Sequence, residues 1–178
     1  MKTDRRGFML GAFTGIGAAG VLYAMKRTWD PLPTVQHAGV TTINLNEINE
    51  NELMIYKWRG KPIFVLKKTP DIVAKQSTND LARDIIVGEA HYMLCIGLCT
   101  HLGCIPAYRE SKHIFLCACH GAEYDSSAIN TKAPAPLPML IPPFKIKENN
   151  LVIGDEGLEY TKMKERGLLG LKKLDPYT

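Results

Sequence analysis

Two short segments carry most of the chemistry-bearing residues of this 178-residue chain: Cys99-Thr-His101-Leu-Gly-Cys104 and Cys117-Ala-Cys119-His120-Gly121. Each offers a thiol and an imidazole a few positions apart, so one loop can turn both toward a single centre. Cys99/His101 and Cys117/His120 form a C-x-H and C-x-x-H pair, and thiolate together with imidazole suits a soft or borderline metal. A structural zinc site is one reading, but its arms are ordinarily like with like, a Cys pair and a His pair. One Cys and one His in each arm suits an asymmetric 2Fe–2S centre, with one iron on two thiolates and the other on two neutral imidazoles. Cys104 and Cys119 are then left over, one in each segment, and in an oxidising compartment they can pair and clamp the segments together. Cys95, the remaining cysteine, lies in an apolar run and reads as a small buried hydrophobe.

The elements that must position these segments are short strands. Thr41-Thr-Ile-Asn-Leu45 alternates, as does Leu53-Met-Ile-Tyr-Lys-Trp58, and Arg59-Gly60-Lys61 turns the chain into Pro62-Ile-Phe-Val-Leu66 as a hairpin. Ala90 to Ile96 and His113 to Cys117 are apolar strands that lead into the two cysteine segments. Phe144 to Lys147 and Leu151 to Ile153 form a last hairpin about Glu148-Asn-Asn150. Asp71 to Arg83 reads as a helix in an insertion, and residues 158–178 as a basic, weakly helical tail without chemistry. Many short strands punctuated by Gly and Pro predict an all-β sandwich or barrel. The net charge is +4, but its basic residues are scattered or near the ends, so no nucleic-acid partner is expected.

The N-terminus bears on location. Arg5-Arg6-Gly-Phe8 followed by an apolar run fits the twin-arginine export pattern. Phe8 to Met25 carries no charge, and as a helix its 18 residues span about 27 Å, close to the roughly 30 Å of a bilayer's hydrocarbon core. A cleaved secretory signal competes with an uncleaved anchor over residues 1–27. The anchor is the expectation, with Lys2, Arg5 and Arg6 on the cytoplasmic side and the remainder outside. Residues 28–39, with Pro31 and Pro33, read as an extended neck, and Trp29 suits the headgroup level.

C-T-H-L-G-C followed by C-x-C-H-G-x-x-Y-D resembles the Rieske signature of cytochrome bc and b6f complexes. Ala133-Pro134-Ala-Pro136-Leu137-Pro138 is similar to the proline loop that covers the cluster in that family. The resemblance implies a Rieske-type antiparallel β-sandwich over residues 40–157, with a small cluster-binding subdomain (loops 95–138) and one N-terminal transmembrane helix. It implies one 2Fe–2S cluster held by Cys99 and Cys117 on the inner iron and by His101 and His120 on the outer, with a Cys104–Cys119 disulfide. Leu102 would dock the cluster tip at a quinol pocket, Tyr124 would donate to a ligand thiolate, and Pro134 would help cover the cluster. The implied activity is that of the electron-transfer subunit of a quinol–cytochrome c oxidoreductase. His120 would take the quinol's proton with the electron, and the head would swing on its neck to a c-type cytochrome while a cytochrome b subunit takes the second electron. Reduction makes imidazole ligands more basic, which couples the two uptakes. The implied place is a bacterial inner membrane, single-pass, with the cluster domain periplasmic. The small Rieske subunit of an arsenite-oxidase-type enzyme is the alternative, disfavoured by Leu102 and the neck.

The sequence departs from that family at three places. Ala118 replaces the usual proline, Ser127-Ala128-Ile129 replaces Ser-Gly-Arg, and Ala122 stands where a serine donates to a cluster sulfide. A hydrogen bond to sulfur favours the electron-rich reduced state, so Ala122 implies a lowered potential and a low-potential donor such as menaquinol.

Overall fold

The computed structural model describes residues 4–30 and 39–170. The chain divides into two compact units, residues 1–37 and 38–178. In the first, α1 runs from Arg5 to Trp29, about 37 Å at a rise near 1.5 Å per residue. The Asp4 carboxylate accepts the Arg6 N–H at 3.4 Å and caps its start, while Lys26 and Arg27 lie in the last turn, where cations complement the helix dipole. No α1 side chain is buried, and the helix is long and apolar enough to cross a membrane. It continues through Thr28 and Trp29, which the sequence assigned to the neck; residues 31–38 of that neck lie outside the described residues.

The second unit is β-rich. Its strands are β1 (Thr41–Asn44), β2 (Leu53–Trp58), β3 (Lys61–Lys67), β4 (Ile85–Val87), β5 (Ala90–Ile96), β6 (Ala107–Arg109), β7 (Ile114–Leu116), β8 (Glu123–Tyr124), β9 (Asn130–Lys132), β10 (Phe144–Lys147) and β11 (Asn150–Ile153). They pair antiparallel in three sheets, ordered β1-β11-β10, β2-β3-β5-β4 and β6-β7-β8-β9. Arg59 and Gly60, both at positive φ, make the tight turn that sets the β2–β3 register.

The β2-β3-β5-β4 sheet is the middle layer, and strand alternation explains how it serves two cores. Ile63 and Val65 of β3, with Tyr92, Leu94 and Ile96 of β5, pack against Ile43, Phe144, Leu151 and Ile153 of the first sheet. Their neighbours in sequence, Phe64, Leu66, Met93 and Cys95, face the other way and pack with Cys99, Phe115, Cys117 and Tyr124. Burial on both faces is why these strands read as continuous apolar runs and not as alternating ones.

Two segments differ from expectation. Residues 71–83 form two short helices, α2 (Pro70–Lys75) and α3 (Thr78–Leu81), because Gln76 is extended and Ser77 with Asp80 makes a capping box that starts a new helix. The segment read as a tail contributes α4 (Leu158–Glu165), and Tyr160, Met163 and Leu169 are buried in the first core. Residues 171–178 lie outside the described residues.

Candidate metal centre

β5 delivers the first cysteine segment and β7 the second, and the two loops are backbone copies of one another. The Cys99 N–H donates to the Cys104 carbonyl at 2.7 Å and the Gly103 N–H to the Cys99 carbonyl at 2.8 Å; in the second loop Cys117 N–H donates to Ala122 O at 2.8 Å and Gly121 N–H to Cys117 O at 2.9 Å. Gly103 and Gly121 hold matching positions at φ +83° and +73°, a left-handed conformation that a side chain would strain. The repeated turn brings the imidazoles of His101 and His120 together, with ring centroids 4.6 Å apart and planes at 89°.

Cys104 and Cys119 form a disulfide, with Cα atoms 6.7 Å apart, that ties loop to loop. The Cys117 sulfur lies within 4.8 Å of both bridged sulfurs. Those two are bonded to each other and are not free to be ligands, so that trio is a disulfide beside one free thiol. Cys99 and Cys117 are free and buried, 3% and 1% exposed, whereas His120 is exposed and His101 half-buried. The donors therefore run from thiols inside to imidazoles outside.

The hydroxyl of Tyr124, wholly buried, donates to Cys99 Sγ at 3.2 Å. Burial pushes this phenol up to about 12, with the Cys99 hydrogen bond adding to the rise, so it is a neutral donor. Thr100 was not singled out from the sequence, yet it joins three parts. Its N–H donates to the Tyr124 oxygen at 2.9 Å, and its hydroxyl donates to the Leu137 carbonyl of the proline loop at 2.7 Å. Its place between Cys99 and His101 was the available signal, but no spacing argument says which way its hydroxyl turns.

The other expected residues fall around this centre. Leu102 is 72% exposed at the tip of the first loop, beside exposed Ile105. Pro134, exposed, follows a cis bond from Ala133. Ala122 is fully buried among Phe115, Cys117 and Tyr124 and offers no side-chain donor. Cys95 is fully buried, and burial pushes its thiol up to about 12, an inert hydrophobe. Two thiols, two imidazoles, a donor aimed at one sulfur and a disulfide that removes the spare pair fit a 2Fe–2S cluster with split ligation.

A family model described as Rieske [2Fe-2S] domain matches residues 40–145. The ubiquinol-cytochrome c reductase iron-sulfur subunit of Rickettsia felis is 31% identical over 86% of this chain and 94% of its own length. That of Rhodospirillum rubrum is 32% identical over 85% and 92%. Among solved structures, a chain of a hyperthermophilic respiratory Complex III superposes with a TM-score of 0.62 at 29% identity, covering 81% of this chain and 97% of that one.

Proposed function

Because this chain belongs to the Rieske 2Fe–2S family, we propose that it is the electron-transfer subunit of a membrane quinol–cytochrome c oxidoreductase. In that reading Cys99 and Cys117 bind the inner iron and His101 and His120 the outer one. The observation that carries it is that two adjoining imidazoles and two free, buried thiols lie on two matching loops tied together by a disulfide. A cluster bound there supplies a one-electron acceptor with a potential of roughly −150 to +300 mV.

The chain's residues then have distinct tasks. Leu102, projecting at the tip, seats the head against an apolar quinol pocket of a cytochrome b subunit. His120, exposed, would accept the quinol hydroxyl's hydrogen bond on a ring nitrogen and hold the proton that the quinol gives up. The buried sulfur side excludes water, and Tyr124 holds its hydroxyl proton on the Cys99 sulfur. A c-type cytochrome subunit and a cytochrome b subunit would be the partners that receive the quinol's two electrons. Ala122 favours menaquinol as the donor, because the cluster lacks one hydroxyl that would stabilise its reduced state.

Arg5 and Arg6 in the first turn of α1 support twin-arginine export and an N-terminus on the cytoplasmic side of a bacterial inner membrane, with the cluster domain periplasmic. The test is quinol-dependent cytochrome c reduction by membranes carrying the wild-type chain or His120→Ala. Loss of activity together with the Rieske EPR signal is expected, and full activity of the alanine chain overturns the reading.

A further inference from the structure

Arg83 follows α3 and is almost fully buried. Its guanidinium donates to backbone carbonyls of three segments far apart in sequence: Nε to Ser127 O at 3.3 Å, Nη2 to Met139 O at 2.6 Å, and Nη1 to Leu168 O. Ser127 and Met139 bracket residues 128–138, the segment that holds β9 and the proline loop. The Met139 N–H closes the same neck by donating to Ala128 O at 2.9 Å. The proline loop is thus an excursion whose two ends meet at one side chain.

The surroundings make that junction rigid. Lys68 Nζ, with its side chain fully buried, donates to Asp84 at 2.5 Å, to Gln76 at 2.6 Å and to the Ser127 hydroxyl at 2.6 Å. Ser127 is therefore held by its hydroxyl as well as its carbonyl, and its N–H donates to Asp125 at 2.8 Å. Asp84 also faces His91 at 3.2 Å. Among the described residues no buried side-chain nitrogen or oxygen is left without a partner. Spanning three carbonyls at once takes the planar, five-donor fork of arginine; an ammonium is a point donor and cannot reproduce it.

Two residues before Met139, Leu137 O receives the Thr100 hydroxyl, and Thr100 N–H meets the Tyr124 oxygen, whose proton points at Cys99 Sγ. We infer that Arg83 is a positioning residue for the cluster: by pinning both ends of residues 128–138 it sets the Leu137 carbonyl and, through Thr100, the hydrogen bond from Tyr124 to the Cys99 sulfur. This rests on the ligand assignment proposed above, and it gives the insertion bearing α2 and α3 a part in tuning the centre.

The test is redox titration of the full-length, cluster-loaded chain as wild type, Arg83→Lys, Tyr124→Phe and the double variant. Arg83→Lys keeps the charge and loses the fork. It lowers the reduction equilibrium constant about threefold, equivalent to about 28 mV at 59 mV per decade. Tyr124→Phe lowers it further, and adding Arg83→Lys to Tyr124→Phe changes nothing more, since the hydrogen bond being positioned is gone. A wild-type midpoint in Arg83→Lys, or an equal decrement in the Tyr124→Phe background, overturns the inference. Should the lysine chain fail to hold the cluster, iron content is read against far-UV circular dichroism. A wild-type β spectrum without iron supports positioning, and loss of both overturns it. Failure of the ligand assignment is separately visible, as a His101→Ala chain that keeps its EPR signal.

Discussion

At the scale of single residues, the centre sorts its donors by burial: sulfur inside, imidazole outside. A buried sulfur is better placed with a hydrogen-bond donor than without one, and the Tyr124 hydroxyl supplies one to Cys99 at 3.2 Å. An exposed imidazole is accessible to a substrate hydroxyl. From this follows the first prediction. Replacing His101 by Ala or Cys117 by Ser abolishes the Rieske EPR signal, because the two disulfide-tied segments hold no other free cysteine or histidine; a persisting signal in either chain refutes the ligand set. The second concerns Ala122, which is fully buried beside Cys117 and Tyr124. A serine there adds a donor. If the hydrogen bond favours the reduced state by about 1–2 kcal/mol more than the oxidised one, the midpoint of Ala122→Ser rises by about 40–90 mV. Titration of the two chains side by side checks it, and an unchanged midpoint removes the argument for menaquinol.

At the scale of elements, two copies of one turn are held in register by a covalent bond and by a layer of rings. The disulfide closes a loop of separation 15, and a cross-link of that span stabilises by about 3 kcal/mol through the unfolded state. Cys104→Ser or Cys119→Ser therefore lowers stability by up to that amount and loses the cluster although no ligand is touched; urea melts and iron content check both. Alkylation in denaturant without reductant is expected to modify Cys95, Cys99 and Cys117 and spare the bridged pair. Below the first loop, Phe64 stacks on Phe115 with centroids 5.8 Å apart. A Cβ on Gly97 would meet the Phe64 ring at 2.4 Å, and that ring is wholly buried and has nowhere to go. Overpacking of this kind costs about 1–3 kcal/mol, so Gly97→Ala lowers the melting temperature and loosens the strand end that leads into Cys99. A wild-type melt contradicts this account.

At the scale of the whole molecule, α1 and the β unit answer to different solvents. Every described side chain of α1 is exposed, including a run of Phe, Leu, Ile and Val that is costly in water, whereas the β unit has two buried apolar cores. The full chain is expected to stay with membranes after carbonate washing. A chain reduced to residues 38–178 is expected to be soluble and to keep its cluster signal, because the second unit contains both cysteine segments and both cores. Loss of the signal on truncation would show that the cluster domain depends on the anchor.

The sequence alone was enough to expect the chemistry of this protein. Side-chain types and their spacing are covalent, so C-x-H with C-x-x-H is legible without coordinates, and the Rieske [2Fe-2S] family match agrees with the cluster expected from it. It also determined the strands that lead into the two cysteine segments and the apolar length of α1, since both depend on local periodicity. What it could not decide was anything set by partners distant along the chain. The period of two did not appear in β3 and β5, because both faces of the middle sheet are buried. The short strands β4, β6, β8 and β9, of two or three residues, owe their existence to the neighbours that pair with them. Residues 158–170 read as part of a basic, weakly helical tail because Tyr160 and Met163, which the fold buries there along with Leu169, are set among charged and polar neighbours. Thr100 and Arg83 gain their roles only when the fold brings Leu137, Ser127 and Met139 within reach of their donors, and hydrogen bonds across such separations leave no periodic trace in a sequence.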